Sequence, residues 1–192
     1  MYPKRNNELE IISLYRVNYK KQFYLREISK LSNLPLKTAQ NTLSILEKNK
    51  ILKSKTEGKN KYFSLNLDNT KTKFFLLHAE IYQTEAFLEK YPVFKTFLKS
   101  LQTNALLIIF GSFAKLSADK NSDVDLMIVA NEKEKFPFHL LPYEIHQLNL
   151  TESLFAKSLK EQETIIKEIE ESHIILNNHS AYINMLWDYY GR

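Results

Sequence analysis

The sequence predicts an α+β protein of two modules joined by a long helix, and three observations carry that reading. Residues 1–68 hold 14 Lys/Arg against 6 Asp/Glu, a net +8, whereas the rest holds 13 against 16, a net −3. Over the first fifty positions apolar residues recur at helical spacing, then alternate with polar ones on both sides of a glycine. Further on, two short apolar runs, 105–110 and 123–129, read as strands of a small mixed-sheet α/β unit. The expected organisation is a basic module over 1–68, a linker or dimerisation helix over 69–91, and the α/β module over 92–192.

Composition narrows the function classes. The chain has 192 residues, 44% of them hydrophobic and 26% charged, the balance of an ordinary globular protein. Its longest unbroken apolar run, Ala105 to Phe110, is far too short to span a bilayer, so no membrane partner is expected. The start, MYPKRN, lacks the apolar core of a signal peptide. With no cysteine, neither disulfides nor thiolate metal sites are available, and a cytoplasmic location is the expectation.

Each front element follows from local pattern. Leu9, Ile12 and Tyr15 predict a helix from Asn7 to about Val17. A second runs over Leu25–Leu31, with Ile28 and Leu31 turned inward. A third begins at Pro35, whose missing N–H suits a first helical turn, and ends near Lys48. Ala39, Leu43 and Leu46 form its buried stripe. Its opposite face carries Lys37, Thr38, Gln40, Asn41 and Ser44, short polar groups able to reach phosphates and base edges. The stretch ILKSKTEGKNKYFSLNL then predicts a hairpin turning at Gly58, with Lys53, Lys55, Lys59 and Lys61 outward.

Three helices and a basic hairpin, with the run LREISKLSNLPLKTAQNTLSILEKNKIL, resemble the winged helix-turn-helix family of DNA-binding regulators over roughly residues 7–67. The resemblance implies that the face from Lys37 to Ser44 enters the major groove while the hairpin lysines, Lys59 and Lys61 among them, follow the backbone. That family usually has glycine where Lys50 stands. The departure is mild, since Asn49 can also take the left-handed conformation that a helix end needs. Winged helices also serve as protein-interaction modules, so the charge of this segment is what favours nucleic acid.

The segment from Lys71 to Lys90 has no helix breaker and predicts one long helix, with Pro92 restarting a shorter one. Phe74, Leu77, Ile81 and Leu88, widened by Phe75, Tyr82 and Phe87, form the expected apolar band. Such a band needs cover: either a second copy of the chain, giving a homodimer, or the two modules themselves.

The rear module holds the chemistry. An apolar strand stops at Gly111-Ser112, a helix of one or two turns follows, and Ser-Asp-x-Asp opens the next strand. Glycine permits close backbone approach, and the serine hydroxyl and free N–H groups can hold phosphate. Alternation puts Asp123 and Asp125 on one face while Val124, Leu126 and Ile128 face the core. Two neighbouring carboxylates repel, and a divalent cation reverses that sign.

This ensemble resembles the nucleotidyltransferase superfamily with the polymerase-beta-type fold, nearest to its minimal bacterial and archaeal members, over roughly residues 92–192. The resemblance implies that Gly111 and Ser112 hold the triphosphate of ATP or another NTP, and that Lys115 faces phosphate. It further implies that Asp123 and Asp125 bind Mg²⁺, two ions in an active enzyme. Leu116 replaces a usual glycine. Active members carry a third acid on a later strand, here expected over residues 143–150. His146 falls at the acidic position and Glu144 shares its face, so either Glu144 fills the role or the third acid is lost. Imidazole is itself a competent base near neutrality. The tail predicts a short strand from His173 to Leu176 and a last helix burying Ile183, Leu186 and Trp187.

Two functions are compatible with these expectations. One is an Mg²⁺-dependent enzyme transferring a nucleoside monophosphate to a macromolecular acceptor, which the resemblance implies can be a HEPN-type partner in a toxin–antitoxin-like pair. The other is a DNA-binding regulator whose rear module binds nucleotide with little or no catalysis.

Overall fold

The computed structural model describes residues 5–132 and 134–191. They form two compact units, one running to Tyr82 and taking in the stretch from Leu186 onward, the other spanning Gln83–Met185.

In the first unit α1 (Asn7–Ser13) starts where the Asn6 side chain accepts hydrogen bonds from the Glu8 and Leu9 amides, at 3.0 and 3.2 Å. It ends four residues earlier than the apolar spacing predicts. The chain tightens into three-residue turns, with Leu14, Tyr15 and Arg16 amides bonding to Ile11, Ile12 and Ser13 carbonyls, and these carry Tyr15 and Arg16 inward. The two-residue β1 (Phe23–Tyr24) leads directly into α2 (Leu25–Leu31), where Glu27 reaches back to the Tyr24 amide at 2.9 Å.

Leu31 does not point inward as expected; it is 56% exposed. The turn after α2 passes through Asn33 at φ 51°, and this reversal delivers Leu34 to the core instead. Helix α3 (Leu36–Lys48) buries Ala39, Leu43 and Leu46 as its spacing predicts. The left-handed residue that ends it is Lys50 (φ 57°), not Asn49 (φ −79°). The hairpin β2 (Leu52–Glu57) and β3 (Asn60–Leu65) closes through Gly58-Lys59, with the positive φ on Gly58. Strand order is β1-β3-β2, antiparallel throughout.

Helix α4 (Thr70–Lys90) has the expected extent but a different buried face. Thr72, Leu76, Ala79, Glu80, Thr84 and Phe87 are buried, while Phe74 and Ile81 are exposed. Polar partners decide this. The Thr72 hydroxyl donates to the Asn66 and Ile51 carbonyls, at 2.8 and 3.3 Å, and Glu80 pairs with Arg16 at 2.6 Å. Each partner satisfies a group whose burial alone would be costly.

The second unit is built on a four-stranded mixed sheet. After α5 (Val93–Lys99) come β4 (Leu106–Phe110), the single turn α6 (Gly111–Ala114), β5 (Val124–Val129), β6 (Ile145–Leu150), α7 (Glu152–Glu161), α8 (Thr164–Glu171), β7 (Ile174–Asn177) and α9 (His179–Tyr190). Strand order is β6-β5-β4-β7, with β5 and β6 parallel and the other pairs antiparallel. Leu107, Ile109, Val124, Leu126, Ile128 and Leu176 pack with Phe87, Phe94, Phe97 and Phe113 on one face. On the other, Leu106, Ile108, Met127, Val129 and Ile175 are buried too. Alternation therefore places Asp125 at the end of a buried row that continues through Met127 and Val129. In α9, Ile183 and Leu186 are buried and Trp187 only half-buried.

Candidate functional site

The β4–β5 register sets Phe110 opposite Asp125, which brings the turn at Gly111 against that carboxylate. Gly111 has φ 67°, and a Cβ at this position would stand 2.3 Å from Asp125 Oδ2. Two independent reasons thus favour glycine: the left-handed backbone, and a carboxylate that a side chain would have to push aside. Ser112, half-buried, follows in α6, and its hydroxyl has no hydrogen-bond partner among the described residues.

Parallel pairing supplies the other wall. Val124 is in register with Ile145 and Asp125 with His146, and the Val124 amide donates to the Glu144 carbonyl at 2.9 Å. Asp123 and Glu144 thus flank the first rung. The four polar side chains converge on one patch. His146 Nδ1 is 3.6 Å from Asp125 Oδ1, and Nε2 is 3.9 Å from Asp123 Oδ2 and 3.7 Å from Glu144 Oε1. None is a hydrogen bond by distance. The patch is open, with side-chain exposure of 47% for Asp123, 35% for Asp125, 75% for Glu144 and 55% for His146.

Two expected neighbours behave differently. Lys115 Nζ pairs with Glu171 Oε2 at 3.3 Å, both exposed, so this cation is engaged with α8 rather than with the aspartates. Leu116, in the place of the glycine that the resemblance calls for, keeps a glycine-like backbone at φ 54°, and its carbonyl accepts from Lys90. Neither link is visible from spacing, because each joins residues far apart in sequence. His173 is buried with Nδ1 2.9 Å from the Ile169 carbonyl, and His179 lies 3.0 Å from the Thr84 hydroxyl, both structural arrangements.

Residues 92–178 match the family model of the nucleotidyltransferase domain. No curated protein and no solved structure matches the chain. The matched segment contains Gly111, Ser112, Asp123, Asp125, Glu144 and His146, and the match supports nucleotidyl transfer as the general activity. Oxygen donors from Asp123 and Asp125 beside a glycine with room for one carboxylate suit a hard divalent cation. Among the described residues, however, no group of three or more His, Asp or Glu side chains is already drawn together tightly enough to hold a metal.

The basic unit has its own candidate surface. On α3, Lys37, Gln40, Asn41 and Ser44 are exposed and Thr38 is half-buried, so the face expected to meet DNA does point outward. The Ser44 hydroxyl donates back to the Gln40 carbonyl at 3.0 Å. Lys59 lies in the hairpin turn, exposed, whereas Lys61 is tied to Glu47 of α3 at 2.8 Å. Those hydrogen bonds from Lys61 and Ser54 hold the Glu47 carboxyl below its ordinary value. No helix among the described residues is long and apolar enough to cross a membrane.

Proposed function

We propose that the chain is a nucleotidyltransferase that moves a nucleoside monophosphate from an NTP, ATP in the first instance, onto a macromolecular acceptor, and that its basic unit is a winged helix that binds DNA. The observation that carries the reading is the meeting of Asp123, Asp125, Glu144 and His146 beside Gly111, inside the segment that matches the nucleotidyltransferase domain.

Asp123 and Asp125 would hold Mg²⁺, which when bound neutralises triphosphate charge and lowers the pKa of an acceptor hydroxyl. The chain's own groups do the rest. Gly111 leaves the Asp125 carboxylate its place against the turn, with no Cβ in the way, and the Ser112 hydroxyl is available to donate to a phosphate oxygen. Glu144 or His146, on the β6 wall, takes the proton from the acceptor. The exposure of all four side chains supports a large acceptor, since an enclosed small-molecule pocket would bury them. In the basic unit, the order α1-β1-α2-α3-β2-β3 and the outward polar face of α3 support the winged-helix reading.

Purified protein incubated with α-³²P-ATP, Mg²⁺ and candidate acceptors, a HEPN-type protein among them, should transfer label and release pyrophosphate. The Asp123→Ala/Asp125→Ala variant should lose both. Transfer that survives in this variant overturns the site. A second reading, nucleotide binding with little turnover, is favoured by His146 standing where the resemblance calls for an acid. Nucleotide binding that needs Asp125, with no transfer to any acceptor, would select it.

A further inference from the structure

The two sheets end in four strands with a free flank: β1, β2, β6 and β7. Such edges offer unpaired N–H and C=O groups to other chains, and proteins blunt them with short strands, lysines, bulges or covering groups. Three of the four are blunted here. Strand β1 has two residues, and β2 carries Lys53 and Lys55, both exposed. Strand β7 has four residues, its register against β4 shifts between Leu107 and Ile108, and the Thr84 hydroxyl donates to its Ile175 carbonyl at 2.7 Å. The fourth, β6, has six residues, IHQLNL, without lysine, proline or bulge.

The ladder fixes where each β6 residue directs its backbone groups. The Val124 amide donates to the Glu144 carbonyl and the Ala130 amide to the Leu150 carbonyl, so His146, Leu148 and Leu150 turn theirs to β5. Ile145, Gln147 and Asn149 turn theirs away, and among the described residues nothing bonds to them. A strand laid along that flank lies about 5 Å from β6, with alternate side chains beside His146 and beside Gln147 and Asn149. The two amides belong to a cavity of about 430 Å³ whose walls include Phe136, Leu150 and Leu154 and whose charges are Glu132 and Glu134. Among the described residues that line it, none is a lysine or arginine. Apolar walls with carboxylates fit the stem and charged head of either basic side chain. Glu144 before the strand and Glu152 after it, both exposed, extend the negative charge.

Resting on the nucleotidyltransferase reading, we propose that β6 is the docking edge for the acceptor: an extended, basic segment of a partner protein joins the sheet as a further strand, seats a lysine or arginine in the cavity, and brings the acceptor to the carboxylate patch at the start of β6. Main-chain bonds to Ile145, Gln147 and Asn149 give affinity, and the cavity gives selectivity. A second copy fits less well, since β6 has no basic residue for the cavity and antiparallel pairing brings the acidic ends of two copies together.

The full chain, without NTP or metal, is panned against phage-displayed random short peptides, and recovered sequences are synthesised with a fluorophore and titrated by anisotropy. The best binder is then N-methylated one residue at a time, which deletes a backbone donor and keeps the side chain. Binding should weaken about tenfold or more at alternate residues, the loss of a hydrogen bond, and little at those between. Replacing the peptide's lysine or arginine with norleucine, or Glu132→Gln in the protein, should weaken it about threefold. Gln147→Pro removes an outward N–H without touching the β5 ladder and should cost about tenfold or more, with circular dichroism checking its fold. No binder, a binder indifferent to Gln147→Pro, or an N-methyl scan without alternation overturns the docking edge. Sedimentation showing a wild-type dimer that Gln147→Pro makes monomeric also overturns it, since a second copy then occupies β6. None of these outcomes touches the nucleotidyltransferase site, because no NTP is present. Absent label transfer with the peptide bound and its scan alternating would strike that reading instead.

Discussion

Lys50 carries a side chain in a backbone conformation that glycine adopts freely. Its φ of 57° costs an L-residue roughly 1–2 kcal/mol, and its side chain is exposed, so no packing offsets that cost. Its carbonyl accepts from Asn66 and Asn69 at 2.9 and 2.8 Å, and a glycine would keep both bonds. Lys50→Gly should therefore raise stability by about 1 kcal/mol, after the extra chain entropy of glycine is set against the relieved strain. Urea denaturation would read this as a higher midpoint with an unchanged slope. Glu47 works in the opposite direction as the medium is acidified. Because Lys61 and Ser54 hold its carboxyl below the ordinary 4.5, its contribution is complete above that value and is lost as pH falls through the lower folded value. The gap in urea midpoint between pH 6 and pH 3 should thus be smaller in Glu47→Gln than in the wild type. The same scale explains what was legible in the site. Asp123, Asp125 and Gly111 announce themselves because charge and glycine interrupt apolar runs. The engagement of Lys115 with Glu171, 56 residues away, leaves no local trace.

Among elements, the strongly patterned ones match their sequence expectation closely: α2 over Leu25–Leu31, α3 from Leu36, the hairpin, and β4 and β5 to within a residue. Strand β1 escaped because two residues carry no periodicity. The face of α4 was misread for a different reason. Counting apolar side chains favours Phe74 and Ile81, yet burial follows Thr72 and Glu80, whose partners come from other elements. The Arg16–Glu80 pair is nearly inaccessible, with side-chain exposure of 8% and 0%. Removing one partner takes a close opposite charge away from a buried group. Glu80→Ala should cost about 3–5 kcal/mol. An Arg16→Met/Glu80→Leu double variant should recover much of that loss, since neither charge then has to be buried. Thermal unfolding of the two variants checks the ordering, and equal destabilisation would mean that the pair's geometry matters beyond its charge.

At the level of the whole molecule, the +8 segment falls in the unit that presents the polar α3 face and the lysine hairpin, and most of the acidic remainder in the unit that holds the carboxylate patch. If the first surface binds DNA, each phosphate contact contributes about 0.9 to the slope of log affinity against log salt. Lys59→Ala/Lys61→Ala should lower that slope by about 1 to 2 and weaken all sequences alike. Lys61 spends part of its charge on Glu47, so Lys59 should account for the larger share. Titrating a labelled duplex at several salt concentrations measures both, and an unchanged slope would move the contact away from the hairpin.

The site's second wall rides on β6, one of the two edge strands of the order β6-β5-β4-β7, held on one flank by β5. An outlying strand with half its backbone facing water opens at lower free energy than the strands it leans on. Amides of Ile145–Leu150 should consequently exchange with deuterium sooner than those of Leu106–Phe110 and Val124–Val129. Warming or mild denaturant would peel Glu144 and His146 away before the two central strands open, so any activity that needs them would be lost while most of the fold was still intact.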